Sequence, residues 1–164
     1  MGFRQLTTTR KGTAGEAVAR DYFIRQGRLP YSPDVDGPHV IDFMIYNPDR
    51  GGVTAVDVKT YPRWWSGPMT GLDTADLETY RQLQQTSGLA VYLIFVDAFE
   101  QAIYGASLSD LPQPDRSIYP KSYYYLTRFT LLHRLASAEL KRLGPLKDPT
   151  RYIGVARHFS TSYP

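Results

Sequence analysis

The sequence predicts an α/β domain built on a mixed sheet flanked by helices, and three observations predict it. Two strand-like segments, 39–47 and 52–61, are joined by NPDRGG (47–52), a strong turn signal, and so form a hairpin. The segment LAVYLIFVDA (89–98) is a near-continuous apolar run, the pattern of a strand buried on both faces. A helical segment at 72–88 lies between them, so the strands at 53–61 and 89–98 bracket a crossover and are expected to run parallel. The 164 residues suit one domain, with no internal repeat.

Each element has a local reason. Helical spacing of Ala14, Ala17, Val18 and Tyr22 predicts a helix over 13–27, closed by Gly27. Thr13 and Glu16 stand at capping-box spacing. Residues 28–38 contain Pro30, Pro33 and Pro38 and read as a loop or a short edge strand. The hairpin HVIDFMIYN (39–47) and GVTAVDVKTY (52–61) follows, then PRWWSGPMTG (62–71), an irregular loop holding both tryptophans. In LDTADLETYRQLQQTSG (72–88) Asp73 is the expected N-cap, Asp76 and Glu78 suit the helix dipole, and Gly88 closes the helix. EQAIYGASL (100–108) is a further strand after a tight turn. Beyond a loop at 109–122, residues 123–144 end in a helix with Leu132, Leu135, Ala136 and Leu140 on one stripe, a C-terminal helical extension of the core. YIGVA (152–156) is a candidate short strand.

At 42% hydrophobic and 21% charged residues, the composition is that of an ordinary globular protein. Without cysteine, disulfide frameworks and thiolate metal sites are excluded, which fits a reducing compartment. No apolar run approaches the roughly 20 residues of a membrane span. MGFRQLTTTRKG lacks the apolar core of a signal peptide, so a cytoplasmic protein without membrane contact is expected. The net charge of +3 is unevenly spread. Residues 1–112 carry ten Lys/Arg against thirteen Asp/Glu, and residues 113–164 carry nine against three. An acidic centre beside a basic surface suits metal-dependent chemistry on a polyanion, although basic residues also simply solubilise a surface.

The acidic centre has a pattern. Alternation in TAVDVKTY (54–61) puts Val56 and Val58 on one face and Asp57 and Lys59 on the other. Two such charges on a central strand are costly unless something pairs with them. In the hairpin partner, Asp42 shares a face with Val40 and Met44, and facing residues on paired strands come close enough to share one ion. Neighbouring carboxylates repel unless a cation lies between them, and hard oxygen donors point to Mg²⁺ or Mn²⁺. Lys59 would then stand beside the ion, placed to orient or help deprotonate a water or to stabilise charge on a phosphate.

Asp42, a hairpin and then Asp57-Val58-Lys59 resemble the PD-(D/E)xK nuclease superfamily. The preceding Gly15-Glu16-Ala17 helix resembles the first helix of its Holliday-junction-resolvase-like, restriction-endonuclease-like branch. The resemblance covers roughly residues 13–106 and implies an αβββαβ core. It also implies a metal-dependent DNA endonuclease, with RNA a possible substrate, and commonly a homodimer. Asp42 and Asp57 would be metal ligands, Lys59 the catalytic lysine, and Glu16 an auxiliary ligand or water-orienting group. A further polar residue of the crossover helix would face the site, with Tyr80, Arg81 and Gln84 as candidates. Two departures stand out: Ile41 replaces the proline before the first aspartate, and the middle acid is Asp57 rather than glutamate. The rival reading is a catalytically silent member that binds nucleic acid or a protein.

Several readings stay open. Glu16 serves equally as a capping residue or a ligand. Trp64 and Trp65 suit base stacking or core closure. Arg10, Lys11, Arg63, Trp64, Lys121 and Arg128 are the candidate nucleic-acid contacts. Tyr123-Tyr124-Tyr125 reads first as a strand with ordinary aromatic packing. Asp34 and Asp36, between Pro33 and Gly37, read as turn residues. His39, His133 and His158 are scattered and read as structural.

Overall fold

The computed structural model of the chain describes residues 7–33, 39–48, 51–60 and 69–144, with side chains from residue 12 onward. Helix α1 spans Thr7–Arg25 and is followed by β1 (Leu29–Tyr31), β2 (Phe43–Asn47), β3 (Gly52–Lys59) and β4 (Met69–Asp73). Helix α2 (Thr74–Ser87) leads to β5 (Ala90–Asp97) and β6 (Ala102–Ser107). The described chain ends with β7 (Arg116–Ile118), β8 (Lys121–Tyr125), β9 (Thr130–Arg134) and α3 (Ser137–Leu143).

The main sheet has six strands in the order β1-β2-β3-β5-β6-β9. β2 and β3 form the antiparallel hairpin, with Phe43 opposite Val56. β3 and β5 pair parallel, Asp57 opposite Leu93, as the crossover requires. This mixed sheet flanked by helices is the architecture expected from the sequence. One face packs on α1 and α3 through Val18, Phe43, Ile45, Val56, Val58, Ile94 and Leu135. The other packs on α2 and a small sheet, order β4-β8-β7, through Ala55, Leu72, Leu77, Leu93 and Tyr124. Among the described residues no helix is long and apolar enough to cross a membrane.

Local signals explain most boundaries. Gly27 (φ 70°) ends α1 in a Schellman arrangement, its N–H donating to Ile24 O while Arg28 N–H donates to Phe23 O. Gly88 (φ 70°) closes α2. Asp73 holds the N-cap position of α2 but makes no capping bond; its carboxylate pairs with Lys121 instead.

Four expectations are corrected. α1 begins by Thr7, so Thr13 lies inside the helix and Glu16 is not half of a capping box. Residues 39–42 precede β2 rather than belonging to it, so strand alternation does not set the direction of Asp42. Met69–Asp73, read as the end of an irregular loop (to 71) and the start of the helix (from 72), is β4, paired with β8. Over its described residues, 113–144, the C-terminal extension holds more strand than helix: β7, β8 and β9 precede a helix of only 7 residues. The leucine stripe is still core-facing, because Leu132, Leu135 and Leu140 reach the α1-side core from β9, its exit and α3. The 152–156 segment, Asp34, Asp36 and His158 lie outside the described residues.

Candidate active site

β3 ends in Asp57, Val58 and Lys59 at the middle of the main sheet. The carboxyl end of a parallel strand is where open α/β sheets place ligands. Val58 faces the α1 core, which turns Asp57 and Lys59 toward α2. Asp57 is only 4% exposed. The Lys59 ammonium donates to Asp57 Oδ1 at 3.3 Å and lies 3.1 Å from Oδ2. The second distance is one of ion pairing without hydrogen-bond geometry, so buried Oδ2 has no hydrogen-bond donor among the described residues.

Asp42 reaches the same strand end from the bend before β2. Its N–H donates to Val56 O at 2.9 Å, and its Oδ2 accepts from Val58 N–H at 2.6 Å. The carboxylate thus continues the ladder that the backbone has left, and it is fixed beside Asp57. His39 Nε2 stands 3.2 Å from Asp42 Oδ1. His39, read as structural from the sequence, belongs to this cluster, and its place depends on the bend at 39–42.

α1 brings Glu16 to the cluster because Gly15 lets the helix lie against the end of β3. A Cβ on Gly15 would stand 1.7 Å from Thr60 Oγ1 and 2.8 Å from Thr60 Cβ, so only glycine fits. Burial raises the Glu16 pKa and Asp42 raises it further, against the pull of His39 and Lys59. Those couplings place Glu16, Asp42, His39 and Lys59 in one electrostatic neighbourhood.

α2 supplies the far wall. Asp76 and Tyr80 are one helical turn apart and face the same way. Asp76 Oδ2 is 3.1 Å from Lys59 Nζ, and the Tyr80 ring centroid is 5.7 Å from it. Of the three crossover-helix candidates, Tyr80 faces the site. Gln84 donates to Ser109 instead, and Arg81 lies toward Tyr124. Asp76, like His39, was missed from the sequence, since it was assigned only to the helix dipole. Its spacing of four from Tyr80 was the available signal.

The charges are set by these neighbours. Burial pushes Asp57 up to about 6, against the pull of Lys59 and with a further push from Asp42. Burial also works against the Lys59 charge, but Asp57, Tyr80 and Asp76 outweigh it and hold its pKa above the ordinary value. Lys59 is therefore an ammonium at neutral pH, suited to stabilising negative charge rather than to accepting a proton. Burial keeps the Tyr80 hydroxyl protonated.

The donor set is hard oxygen throughout, and a buried carboxylate oxygen without a donor beside a second carboxylate suits a divalent cation. Among the described residues, however, no group of three or more His, Cys, Asp or Glu is gathered closely enough to hold a metal ion. The ammonium of Lys59, not a third acid, is what stands against Asp57.

The candidate nucleic-acid contacts divide. Lys121 pairs with Asp73 at 2.7 Å, and Arg128 pairs with Asp115 at 2.7 Å. Arg10 and Lys11 lie on α1 with their side chains outside the described set, as Arg63 and Trp64 lie outside it altogether. A cavity of about 270 Å³ lined by Tyr22, Arg28, Thr54, Val56 and Tyr92 opens on the α1 face of the sheet. It has no acidic lining residue and is turned away from Asp57.

The hairpin and the β3-α2-β5 crossover build a mixed sheet flanked by helices, the restriction-endonuclease-like fold. A solved structure with this architecture is Hjc, a Holliday junction resolvase from the archaeal hyperthermophile Archaeoglobus fulgidus, similar at a TM-score of 0.53. The match covers 71% of this chain and 90% of that chain at 13% identity, and it is a likeness of fold. No family model matches the sequence, and no curated protein matches it.

Proposed function

We propose that the chain is a metal-dependent endonuclease that hydrolyses DNA phosphodiester bonds at the Asp42–Asp57–Lys59 cluster. The observation that carries this reading is the pair of adjoining carboxylates at the end of β3, one with a buried oxygen that has no hydrogen-bond donor among the described residues. The fold shared with a Holliday junction resolvase supports it.

In this reading Asp42 and Asp57 hold the ion, and Glu16 orients a water from α1. A bound Mg²⁺ or Mn²⁺ would supply Lewis acidity toward the phosphate and acidify a coordinated water. Lys59 contributes positive charge to the phosphate oxygens as negative charge develops on them. Attack by water forms one P–O bond as the opposite one breaks, and the departing alcohol takes up a proton. Arg10, Lys11, Arg63 and Trp64 would contact the nucleic acid. Lys121 and Arg128 would exchange their carboxylate partners for phosphates. Two copies of the chain would be needed to cut two strands together.

The test is cleavage of plasmid, linear, single-stranded and four-way-branched DNA, and of RNA, in Mg²⁺, Mn²⁺ or EDTA, with Asp57→Ala alongside. The expected outcome is cleavage that is lost with EDTA and falls at least about a hundredfold in Asp57→Ala. A folded protein that cuts nothing would sink the proposal. It would favour the second reading, a binding protein on the same fold, for which the absence of a three-acid group among the described residues speaks.

A further inference from the structure

The cavity between α1 and the sheet has the size, shape and charge of a small-molecule site. Its volume is about 270 Å³, just under the roughly 300 Å³ at which pockets for drug-sized molecules begin. That space suits a single-ring molecule. It is a slot: α1 forms one wall with Tyr22 and Phe23, and the sheet forms the other with Ile45, Val56 and Tyr92. Gly105 of β6 shapes the sheet wall. A Cβ there would stand 2.6 Å from Tyr92 Cε1 and 2.9 Å from the Tyr92 hydroxyl oxygen, so β6 gives up a side chain where Tyr92 crosses it. Between an aromatic wall and a sheet, a flat apolar body makes the closest contact. The charge in the slot is one-sided. Among the described residues that line it, Arg28 is the one charged side chain and none is acidic. Arg28 donates to Asn47 Oδ1 and pulls on the Tyr22 hydroxyl, so guanidinium, amide and phenol are neighbours. Burial keeps the Tyr22 and Tyr92 hydroxyls protonated, and Tyr22 also acts on Tyr92, so two phenol donors stand together. Asp110 acts on Tyr92 as well but does not line the cavity. A guanidinium has five N–H donors, enough to serve Asn47 and a carboxylate together. One fixed positive charge matches one negative charge; a dianion would bring a second, uncompensated charge into a partly buried space.

We infer that this cavity binds a small planar monocarboxylic acid of single-ring size, with its carboxylate on Arg28 and its ring between the Tyr22–Phe23 wall and the sheet. The site lies on the face of the sheet turned away from Asp57 and does not depend on the chemistry proposed there.

The experiment is a fluorine NMR titration of the full chain with para-fluorobenzoate and, separately, with its neutral isostere para-fluorobenzamide. Wild type, Arg28→Met, Arg28→Lys and Thr54→Leu are compared, each with its thermal melt as a check of folding. The expected result is a single saturable benzoate site with a Kd of about 1 mM or tighter, and benzamide weaker by about tenfold or more. Arg28→Met should bring benzoate down to the benzamide level. Arg28→Lys, which keeps the charge, should retain most of the preference and covers the case in which Arg28→Met folds poorly. Thr54→Leu fills the slot from β3 and should expel both probes. Equal binding of the two probes by the wild type would overturn the inference, as would the absence of saturable benzoate binding. A benzoate preference that persists in Arg28→Met, or binding that survives Thr54→Leu, would place the acid elsewhere on the chain and would overturn it too. Each of these outcomes leaves the reading of the Asp57 site untouched.

Discussion

Asp57 is a charge placed where folding alone would not put one. Its carboxyl titrates near 6 in the folded chain against an ordinary 3.8. The native state thus binds that proton more tightly than the unfolded chain does. The favourable contribution is complete below about 3.8 and is lost as pH rises through about 6. Asp57→Asn keeps the shape and removes the charge, and Lys59 retains Asp76. The variant should melt higher than wild type at about pH 7.5, by on the order of 1–3 kcal/mol, and the difference should close near pH 4. Calorimetry across that range checks it. A variant less stable than wild type at neutral pH would mean that the Asp57–Lys59 attraction outweighs the burial penalty. This cluster was partly legible in the sequence. Asp57 and Lys59 were visible because alternation forces both to the face opposite Val56 and Val58. Asp76 and His39 were not, since their roles arise from contacts between elements far apart in the chain.

At the scale of elements, α1 carries two glycines with opposite expectations. Among the described residues, a Cβ at Gly12 would meet only Glu16 Oε1, at the ordinary contact distance of 3.7 Å. Gly12→Ala therefore gains helix propensity at no steric cost and should stabilise by about 0.5–1 kcal/mol. Gly15→Ala drives a methyl into Thr60 and must push α1 off the end of β3, costing on the order of 1–3 kcal/mol despite the same gain in propensity. It should also weaken Mn²⁺ binding, because Glu16 moves with the helix. Thermal melts of the two variants, together with the Mn²⁺ affinity of Gly15→Ala, check this pair of predictions. The elements most legible from sequence were those specified by neighbours in the chain: the hairpin through NPDRGG, and the crossover through Gly88 and the apolar run at 89–98. β4 and β9 escaped because their pairing partners are distant, Met69 opposite Tyr125 and Ala102 opposite Arg134. No local pattern announces such pairings. The Leu132, Leu135 and Leu140 stripe misled because a strand, its exit and a short helix can present leucines to one core as well as a single helix can.

Over the whole molecule, residues 113–144 are bound back onto the core. β9 is the outer strand beside β6, and α3 packs toward α1, where Arg142 pairs with Asp21. Glu139 ties three elements together. It accepts from Arg25 of α1 at 2.6 Å, stands 2.9 Å from His133 of β9, and takes the Ala136 N–H at the start of α3 at 2.7 Å. Burial would raise its pKa, but the Ala136 amide, His133 and Arg25 outweigh it and hold the carboxyl at about 2. The sign is opposite to that of Asp57. Stability from Glu139 is complete above the ordinary 4.5 and disappears as pH falls through about 2. Glu139→Gln should thus lower stability at neutral pH by on the order of 1–3 kcal/mol, and the gap should narrow as the pH drops between those limits. Because Arg25 and His133 belong to different elements, the loss should appear as faster hydrogen exchange in β9 and α3, with β3 and β5 little changed. A uniform loss of protection would instead mean that residues 113–144 and the rest of the sheet unfold as one cooperative unit. Mutations in residues 113–144 would then reach the Asp57 site through stability, without touching it.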